Sequence, residues 1–140
     1  MAAGAALVDT SAFLAFLDAR DPWHARCKAA FAVAPLPLVT TVAVLTELFH
    51  FVGKRMSDPS GAWRMLRSGQ IQLGPITDAD LPFLDVLMAR YADRPMDFAD
   101  ATLVHVANRE GLRTILTIDR ADFETYRIGR NTKFRILPAR

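Results

Sequence analysis

The sequence predicts an α/β domain in which a central parallel sheet of four to five strands is covered by helices on both faces. Short β-prone runs alternate with longer helical segments along the chain, and parallel strands require connections of that kind. No repeat or low-complexity stretch competes with this pattern. The 140 residues are 51% hydrophobic, and no Ser/Gly-rich linker interrupts them, so we expect one domain spanning residues 1–140.

Apolar runs and turn residues define the elements of the first half of the chain. Pro22 suits a first helical position, whereas Gly53 and Lys54 end a helix that is apolar on nearly every face. A helix of that composition must be buried or paired. In order, the predicted elements are a strand at 5–8, helices at 12–19 and 22–34, a strand at 36–40 and the apolar helix at 42–53.

Cap residues define the helices of the second half. Asp58 and Pro59 start one helix, Thr77 and Asp78 cap another, and Gly111 supplies the left-handed residue that ends a third. In order, the predicted elements are a helix at 58–67, a strand at 71–73, helices at 79–91 and 98–110, and strands at 114–118 and 133–137.

Composition sets weak limits on function. The formal net charge is +2 and the isoelectric point is near 9.0, a balance that permits a nucleic-acid partner without requiring one. The single cysteine, Cys27, excludes an intramolecular disulfide and fits a reducing compartment. The N-terminus lacks the basic region of a signal peptide, and no run approaches the ~20 apolar residues of a membrane span. We therefore expect a cytoplasmic protein without a membrane segment.

Two acidic residues follow predicted strands. Asp9 directly follows the strand at 5–8, and Asp119 directly follows the strand at 114–118. Reactive groups in an open parallel sheet gather beyond the carboxyl ends of the strands, so both carboxylates are expected at one edge. Each acid could instead cap the helix that follows it.

Two further acids lie on apolar helix faces. At 100° per residue, Asp100 points with the apolar stripe of its helix, and Glu47 is the single acid within 42–53. A lone buried carboxylate costs several kcal/mol unless a cation or hydrogen bonds compensate, so each of these acids predicts a partner. For Glu47, a salt bridge to Lys54 or Arg55 is the alternative to a functional role.

Asp97 stands three residues before Asp100. It falls at the edge of the same apolar stripe and at the start of the helix. An N-cap role, in which its side chain accepts a hydrogen bond from a first-turn N–H, is therefore as well supported as a role in a site.

These acids would repel one another if they converged without a basic partner, and a divalent metal ion resolves that repulsion. Carboxylate oxygens suit Mg²⁺ or Mn²⁺, whereas the absence of Cys/His pairs at ligand spacing argues against zinc. Such an ion can activate a bound water and stabilise the charge of a phosphodiester under attack. Metal-dependent phosphodiester hydrolysis is the chemistry implied. The candidate ligands are Asp9, Glu47, Asp100 and Asp119, with Asp97 as an additional candidate.

Two other Asp-based sites fit the sequence less well. A phosphoacceptor receiver domain needs neighbouring acids after its first strand, whereas Thr10 and Ser11 follow Asp9. It also needs its phosphoacceptor after a middle strand, where Gly74 and Pro75 follow 71–73. A phosphatase with a nucleophilic Asp needs a second Asp two residues after the first, and Ser11 stands there instead.

Four segments, taken in order, resemble the motifs of the PIN-domain family: LVDTSAFLAFLD, the Glu of VLTELF, MDFADATLVHVANREG and TILTIDRADF. The resemblance spans nearly the whole chain and implies a PIN-like α/β/α sandwich. It also implies that the family's acidic cluster corresponds to Asp9, Glu47, Asp100 and Asp119. On the same basis, the hydroxyl groups that hydrogen-bond within the site correspond to Ser11 and Thr117.

Many single-domain PIN proteins of this size are VapC-like toxins of bacterial toxin–antitoxin pairs. The resemblance therefore implies a Mg²⁺- or Mn²⁺-dependent endoribonuclease that acts on tRNA or other structured RNA and is inhibited by a cognate antitoxin. The alternative is a catalytically inactive PIN module that binds RNA or a partner protein. Segments 12–17 and 42–53 offer more apolar surface than a small sheet covers, so we expect a symmetric homodimer and a groove for an antitoxin segment.

Overall fold

The computed structural model describes residues 4–140, so the first three residues of the apolar N-terminal stretch lie outside the described part. The strands are β1 (Ala6–Val8), β2 (Leu38–Thr40), β3 (Ile71–Leu73), β4 (Thr114–Leu116), β5 (Arg127–Ile128), β6 (Thr132–Lys133) and β7 (Arg135–Leu137). The helices are α1 (Thr10–Leu17), α2 (His24–Val33), α3 (Val42–Arg55), α4 (Ser60–Leu66), α5 (Leu81–Arg90), α6 (Phe98–Glu110) and α7 (Arg120–Thr125). A 3₁₀ turn, Asp78–Asp80, precedes α5.

Five strands form one parallel sheet in the order β3-β2-β1-β4-β7. The predicted α/β architecture is therefore confirmed, with five strands in the sheet. β1 and β4 are neighbours in register, and Val8 lies opposite Leu116. Since both strands run in the same direction, the segments that leave them emerge side by side at one edge of the sheet.

The centre of the sheet and one helix supply most of the core. All residues of β1, β2 and β4 are buried, as is the stretch 99–107 of α6. Full burial of a large apolar side chain contributes roughly 1.5–3 kcal/mol. Leu7, Leu103 and Ile115 are fully buried side chains of this kind. α6 therefore cannot turn to expose a different face, and the polar groups on it are held in place by the packing.

Several element boundaries differ from the predicted ones. α1 begins two residues earlier than predicted because the side chain of Asp9 accepts the backbone N–H of Thr10 at its start. α2 begins at His24, two residues after Pro22. The capping residue Thr77 forms a reciprocal capping box with Asp80, which makes a 3₁₀ turn before α5.

The segment after Asp119 contains elements that the sequence did not predict. α7 has six residues, which is too short for a helical periodicity to be recognised. The two-residue strands β5 and β6 form a separate antiparallel hairpin. Lys133 belongs to this hairpin, so the last strand of the sheet begins at Arg135 rather than at Lys133.

The apolar segments expected to form interfaces are buried to different extents. Residues 12–15 of α1 lie in the core of the chain itself, so the apolar surface expected of 12–17 is limited to the partly buried Phe16 and Leu17. α3 buries Val44, Leu48 and Val52 but leaves Val42 and Phe51 exposed. Within residues 4–140, no helix is long and apolar enough to cross a membrane.

Candidate active site

Asp9 lies at the carboxyl end of β1 and is 2% exposed. Its Oδ1 accepts the backbone N–H of Thr10 at 2.8 Å, so it caps α1. Its Oδ2 accepts hydrogen bonds from the hydroxyl groups of Thr117 at 2.8 Å and Ser11 at 3.2 Å. Capping and participation in a polar cluster are therefore compatible roles for this residue.

Ser11 and Thr117 connect the ends of β1 and β4. Their hydroxyl oxygens lie 3.2 Å apart. The Ser11 oxygen accepts the backbone N–H of Ile118 at 3.1 Å, and the Thr117 oxygen accepts that of Asp119 at 3.0 Å. These contacts fix the loop that carries Asp119 against the loop that carries Asp9.

Glu47 faces this edge of the sheet from α3. Its Oε1 accepts a hydrogen bond from the Thr10 hydroxyl at 2.8 Å, which brings it next to the residue that follows Asp9. It is half-buried. The alternative of a salt bridge with Arg55 is excluded, because that guanidinium donates to Asp18 at 3.0 Å and Asp21 at 2.9 Å instead.

Asp97 and Asp100 stand at the start of α6 in different environments. Asp97 is exposed, and its Oδ1 accepts the backbone N–H of Asp100 at 2.7 Å, so it is the N-cap of the helix. Asp100 is 8% exposed. Its Oδ2 accepts a hydrogen bond from the hydroxyl of Tyr126 at 3.0 Å.

Asp119 is the residue before α7, and its side chain makes no capping hydrogen bond. It is exposed at the rim of the edge, three residues after β4 ends. The alternative that it merely caps the next helix therefore has no support in its contacts.

Burial and repulsion from neighbouring carboxylates raise the pKa values of four acids at this edge, which are Asp9, Glu47, Asp100 and Asp119. Burial, with repulsion from Asp119, raises the pKa of Asp9 to about 7. Burial and the charges of Asp9 and Asp97 raise the pKa of Asp100 to about 8. Partial desolvation raises the pKa values of Glu47 and Asp119, and the charge of Asp97 adds to both. Repulsion links each of the five acids with at least one other, and we refer to the five together as the acid cluster.

The acid cluster fits a hard divalent cation. Among residues 4–140, no Lys, Arg or His forms a salt bridge with any of its five carboxylates. Oxygen donors without a balancing positive charge are the ligand set of Mg²⁺ or Mn²⁺. In the same described part, no three Asp, Glu, His or Cys side chains already stand in a ligand arrangement. Asp119 is exposed and makes no capping hydrogen bond, so it can turn toward an ion, whereas burial and hydrogen bonds hold Asp9 and Asp100 in place.

Two residues of the site were missed from the sequence. Thr10 orients Glu47, and Tyr126 holds Asp100. Thr10 directly follows an acid at a strand end, and this position is a usable signal. Tyr126 lies in a segment where no element was predicted, and its contact with Asp100 depends on packing between α6 and the end of α7.

The parallel sheet, with acids beyond the carboxyl ends of β1 and β4, agrees with the PIN-like fold that the sequence motifs imply. The sequence profile of the PIN domain matches residues 6–128. The chain belongs to the PIN-domain family.

Particular relatives place the chain beside the VapC proteins. It is 31% identical over 134 residues to Ribonuclease VapC26 of Mycobacterium tuberculosis, a match that covers 94% of this chain and 99% of that protein. The crystal structure of Mycobacterium tuberculosis VapC20, a sarcin-ricin loop cleaving toxin, has a TM-score of 0.71 at 23% identity and covers 79% of this chain and 86% of its own. VapBC2 from Rickettsia felis, bound to a DNA fragment from its promoter, has a TM-score of 0.67 at 13% identity. This match covers 94% of this chain and 98% of the other. The two solved structures support the fold.

Proposed function

We propose that this chain is a divalent-metal-dependent endoribonuclease, the toxin of a VapC-type toxin–antitoxin pair, acting on tRNA or other structured RNA in the cytoplasm. The single observation that carries the proposal is the acid cluster. Five carboxylates lie at one edge of the sheet without a salt-bridge partner among residues 4–140, and the two most buried have pKa values raised to about 7 and about 8. The similarity to a ribonuclease over nearly the full length of both chains supports the same reaction.

Asp9, Glu47, Asp100 and Asp119 would hold the ion, with Asp97 at the rim. A bound Mg²⁺ or Mn²⁺ supplies an activated water and stabilises the negative charge of the phosphodiester. The protein contributes the placement of the acids. Burial of Asp9 and Asp100 removes competing water, which strengthens their attraction for a cation.

The hydroxyl groups of the site act as orienting donors. Thr117 and Ser11 donate to the same oxygen of Asp9, and Thr10 donates to Glu47. The bond to Glu47 holds Oε1 and leaves Oε2 for the cation, whereas both oxygens of Asp9 accept hydrogen bonds and would reach the cation through their remaining lone pairs. Outer contacts of this kind are commonly worth 10–100-fold in metal affinity or activity.

The partners proposed are an RNA substrate, a cognate antitoxin and a second copy of the chain. The relative from Rickettsia felis is a VapBC2 complex on promoter DNA, which supports an antitoxin partner for this chain. A cavity of about 640 Å³ between α1, α2 and α4 suits an antitoxin segment, because Phe16, Leu17, Phe31 and Met65 line it. We also propose that the PIN domain spans the whole chain, residues 1–140.

Cleavage of a structured RNA by the purified protein tests the function. We expect cleavage with Mg²⁺ or Mn²⁺, none with a chelator, and a fall of more than about 100-fold in Glu47→Gln. Asp85→Asn is the matched control, since this acid is exposed on α5 and outside the cluster. Cleavage that persists with chelator, or full activity in Glu47→Gln, would contradict the proposal. RNA binding without cleavage in any metal would favour the inactive PIN module.

A further inference from the structure

The hydroxyl group of Tyr126 contacts one member of the acid cluster, Asp100. The residue is 1% exposed, and its hydroxyl donates to Oδ2 of Asp100 at 3.0 Å. Among residues 4–140, no donor reaches the other oxygen of Asp100. One oxygen of this carboxylate is therefore held by the protein and the other is free to bind a cation.

The Tyr126 ring is held by neighbouring aromatic rings. It makes edge contacts with Tyr91, at 5.1 Å between centroids and 72°, and with Phe123, at 5.2 Å and 88°. Phe123 in turn packs edge-on against Phe134 at 5.6 Å. Contacts of this geometry favour one orientation of each ring. The direction of the Tyr126 hydroxyl is thus fixed by packing, before any ion binds.

α7 connects this ring with a second acid of the site. Asp119 is the residue before the helix and Tyr126 is the residue after it, while Phe123 buries the middle of the helix. The same six-residue helix therefore sets the position of one acid directly and of another through a hydrogen bond. Nothing comparable supports Asp97, which is exposed.

We infer that Tyr126 is a positioning residue that holds Asp100 in the orientation needed for metal binding. This inference rests on the proposed function for its metal ion. A carboxylate that is oriented in advance loses less conformational freedom when the ion binds. Loss of the hydroxyl should therefore weaken metal binding without removing a ligand.

The test compares Tyr126→Phe with Tyr91→Phe. Both rings belong to the same aromatic cluster, and each hydroxyl takes part in one hydrogen bond of 3.0 Å; that of Tyr91 accepts the backbone N–H of Arg127 and touches no acid. Mn²⁺ affinity is measured by calorimetry on the intact protein without RNA. We expect a loss of about 10–100-fold in Tyr126→Phe and a change below about twofold in Tyr91→Phe. In an Asp100→Asn background, Tyr126→Phe should cause little further loss.

Three results would overturn the inference. These are wild-type Mn²⁺ affinity in Tyr126→Phe, equal losses in both tyrosine variants, or an undiminished loss in the Asp100→Asn background. Equal losses of Mn²⁺ affinity would mean that the aromatic rings affect metal binding only through the stability of the fold. The melting temperatures of both metal-free variants would report such a change. Because the readout is metal binding, it separates from the proposed function. A wild-type protein whose Mn²⁺ affinity depends on the Tyr126 hydroxyl but which cuts no RNA would retain this inference and refute the nuclease.

Discussion

At the scale of single residues, Asp97 and Asp100 show how two acids three positions apart take different roles. Asp100 is buried and repelled by its neighbours, so a neutral isostere should relieve strain in the metal-free protein. We expect Asp100→Asn to abolish metal-dependent RNA cleavage and to raise the metal-free melting temperature by several degrees, as about 1 kcal/mol does for a domain of this size. Asp97→Asn keeps a good capping side chain, so it should cost little stability and reduce cleavage only partly.

Cleavage of a structured RNA and metal-free melting, measured on both variants, check this assignment. Full activity in Asp100→Asn with loss in Asp97→Asn would reverse the two roles. Full activity in both would remove α6 from the site. Asp97→Ala serves as the control for the cap, because it should lose about 0.5–2 kcal/mol of stability that the Asn variant retains.

The raised pKa values of Asp9 and Asp100 predict how stability depends on pH. Folding moves them from 3.8 to about 7 and about 8, so the metal-free native state holds protons that the unfolded state has released. Between about pH 4 and 8 the free energy of unfolding should therefore fall as the pH rises. Hydrogen bonds from Arg20 and His105 lower the pKa values of Asp18 and Asp80, respectively. The stability that these two carboxylates contribute to the fold is lost only below this pH window.

Urea unfolding of the metal-free protein at several pH values measures that slope. Asp9→Asn/Asp100→Asn removes the two groups, and its slope across the window should be much smaller. The histidines are common to both proteins and cancel in the comparison. Equal slopes would contradict the prediction, and Mn²⁺ should flatten the slope in the wild type alone, since the ion favours the charged carboxylates.

At the scale of elements, two glycines differ in the space that surrounds them. A Cβ at Gly53 in α3 meets nothing within 4 Å, whereas one at Gly74, just after β3, meets both methyl groups of Val106 in α6 at 2.9 and 3.0 Å. Gly53→Ala should therefore stabilise the protein by about 0.5–1 kcal/mol through helix propensity. Gly74→Ala should destabilise it by about 1–3 kcal/mol through overpacking.

Chemical denaturation of both variants gives the two signs. Gly74→Ala/Val106→Ala is the matched rescue, because it removes the methyl groups that the new Cβ meets. The double variant should lose less stability than the sum of the two single losses. A neutral Gly74→Ala would contradict this prediction, because it would mean that β3 and α6 can separate at this contact without cost.

The predictability of the elements followed their length and their caps. α6 was predicted with its observed bounds because thirteen residues carry a clear end at Gly111, whose φ of 69° suits glycine. α7 and the β5-β6 hairpin were not predicted, since six-residue and two-residue elements carry no periodicity and are fixed by tertiary contacts. The sheet edge followed from the strands alone, so Asp9 and Asp119 could be placed without α7.

The candidate site was predictable where an acid broke an apolar pattern. Asp100 and Glu47 were identified because a carboxylate on an apolar face needs a partner, and Asp97 was correctly considered as a cap. Tyr126 was not identified, because a buried tyrosine gives no sequence signal of its own. Its contact with Asp100 forms only because α7 brings the ring next to α6.

At the scale of the whole molecule, an apolar surface lies next to the acid cluster. Val42 and Phe98 are exposed at 63% and 46%, and they line a cavity of about 690 Å³ together with Leu73 and Ile76. Glu47 lines the same cavity. A monomer gains nothing from exposing these side chains, whereas a symmetric dimer would bury them twice. A second copy seated here would place its own acid cluster near the first, within reach of one RNA.

Sedimentation of Val42→Glu against Val33→Glu tests this dimer. Val42 is the first residue of α3, where an acid interacts favourably with the helix N-terminus, so the substitution should not harm folding. We expect the wild type to sediment at twice the chain mass at micromolar concentration and Val42→Glu as a monomer, because the interface would bury an unpaired charge. Val33 is 76% exposed on α2, away from the cavity, and its Glu variant should remain dimeric. A wild type that is monomeric at every concentration would exclude the homodimer, and a dimeric Val42→Glu would move the interface to another surface.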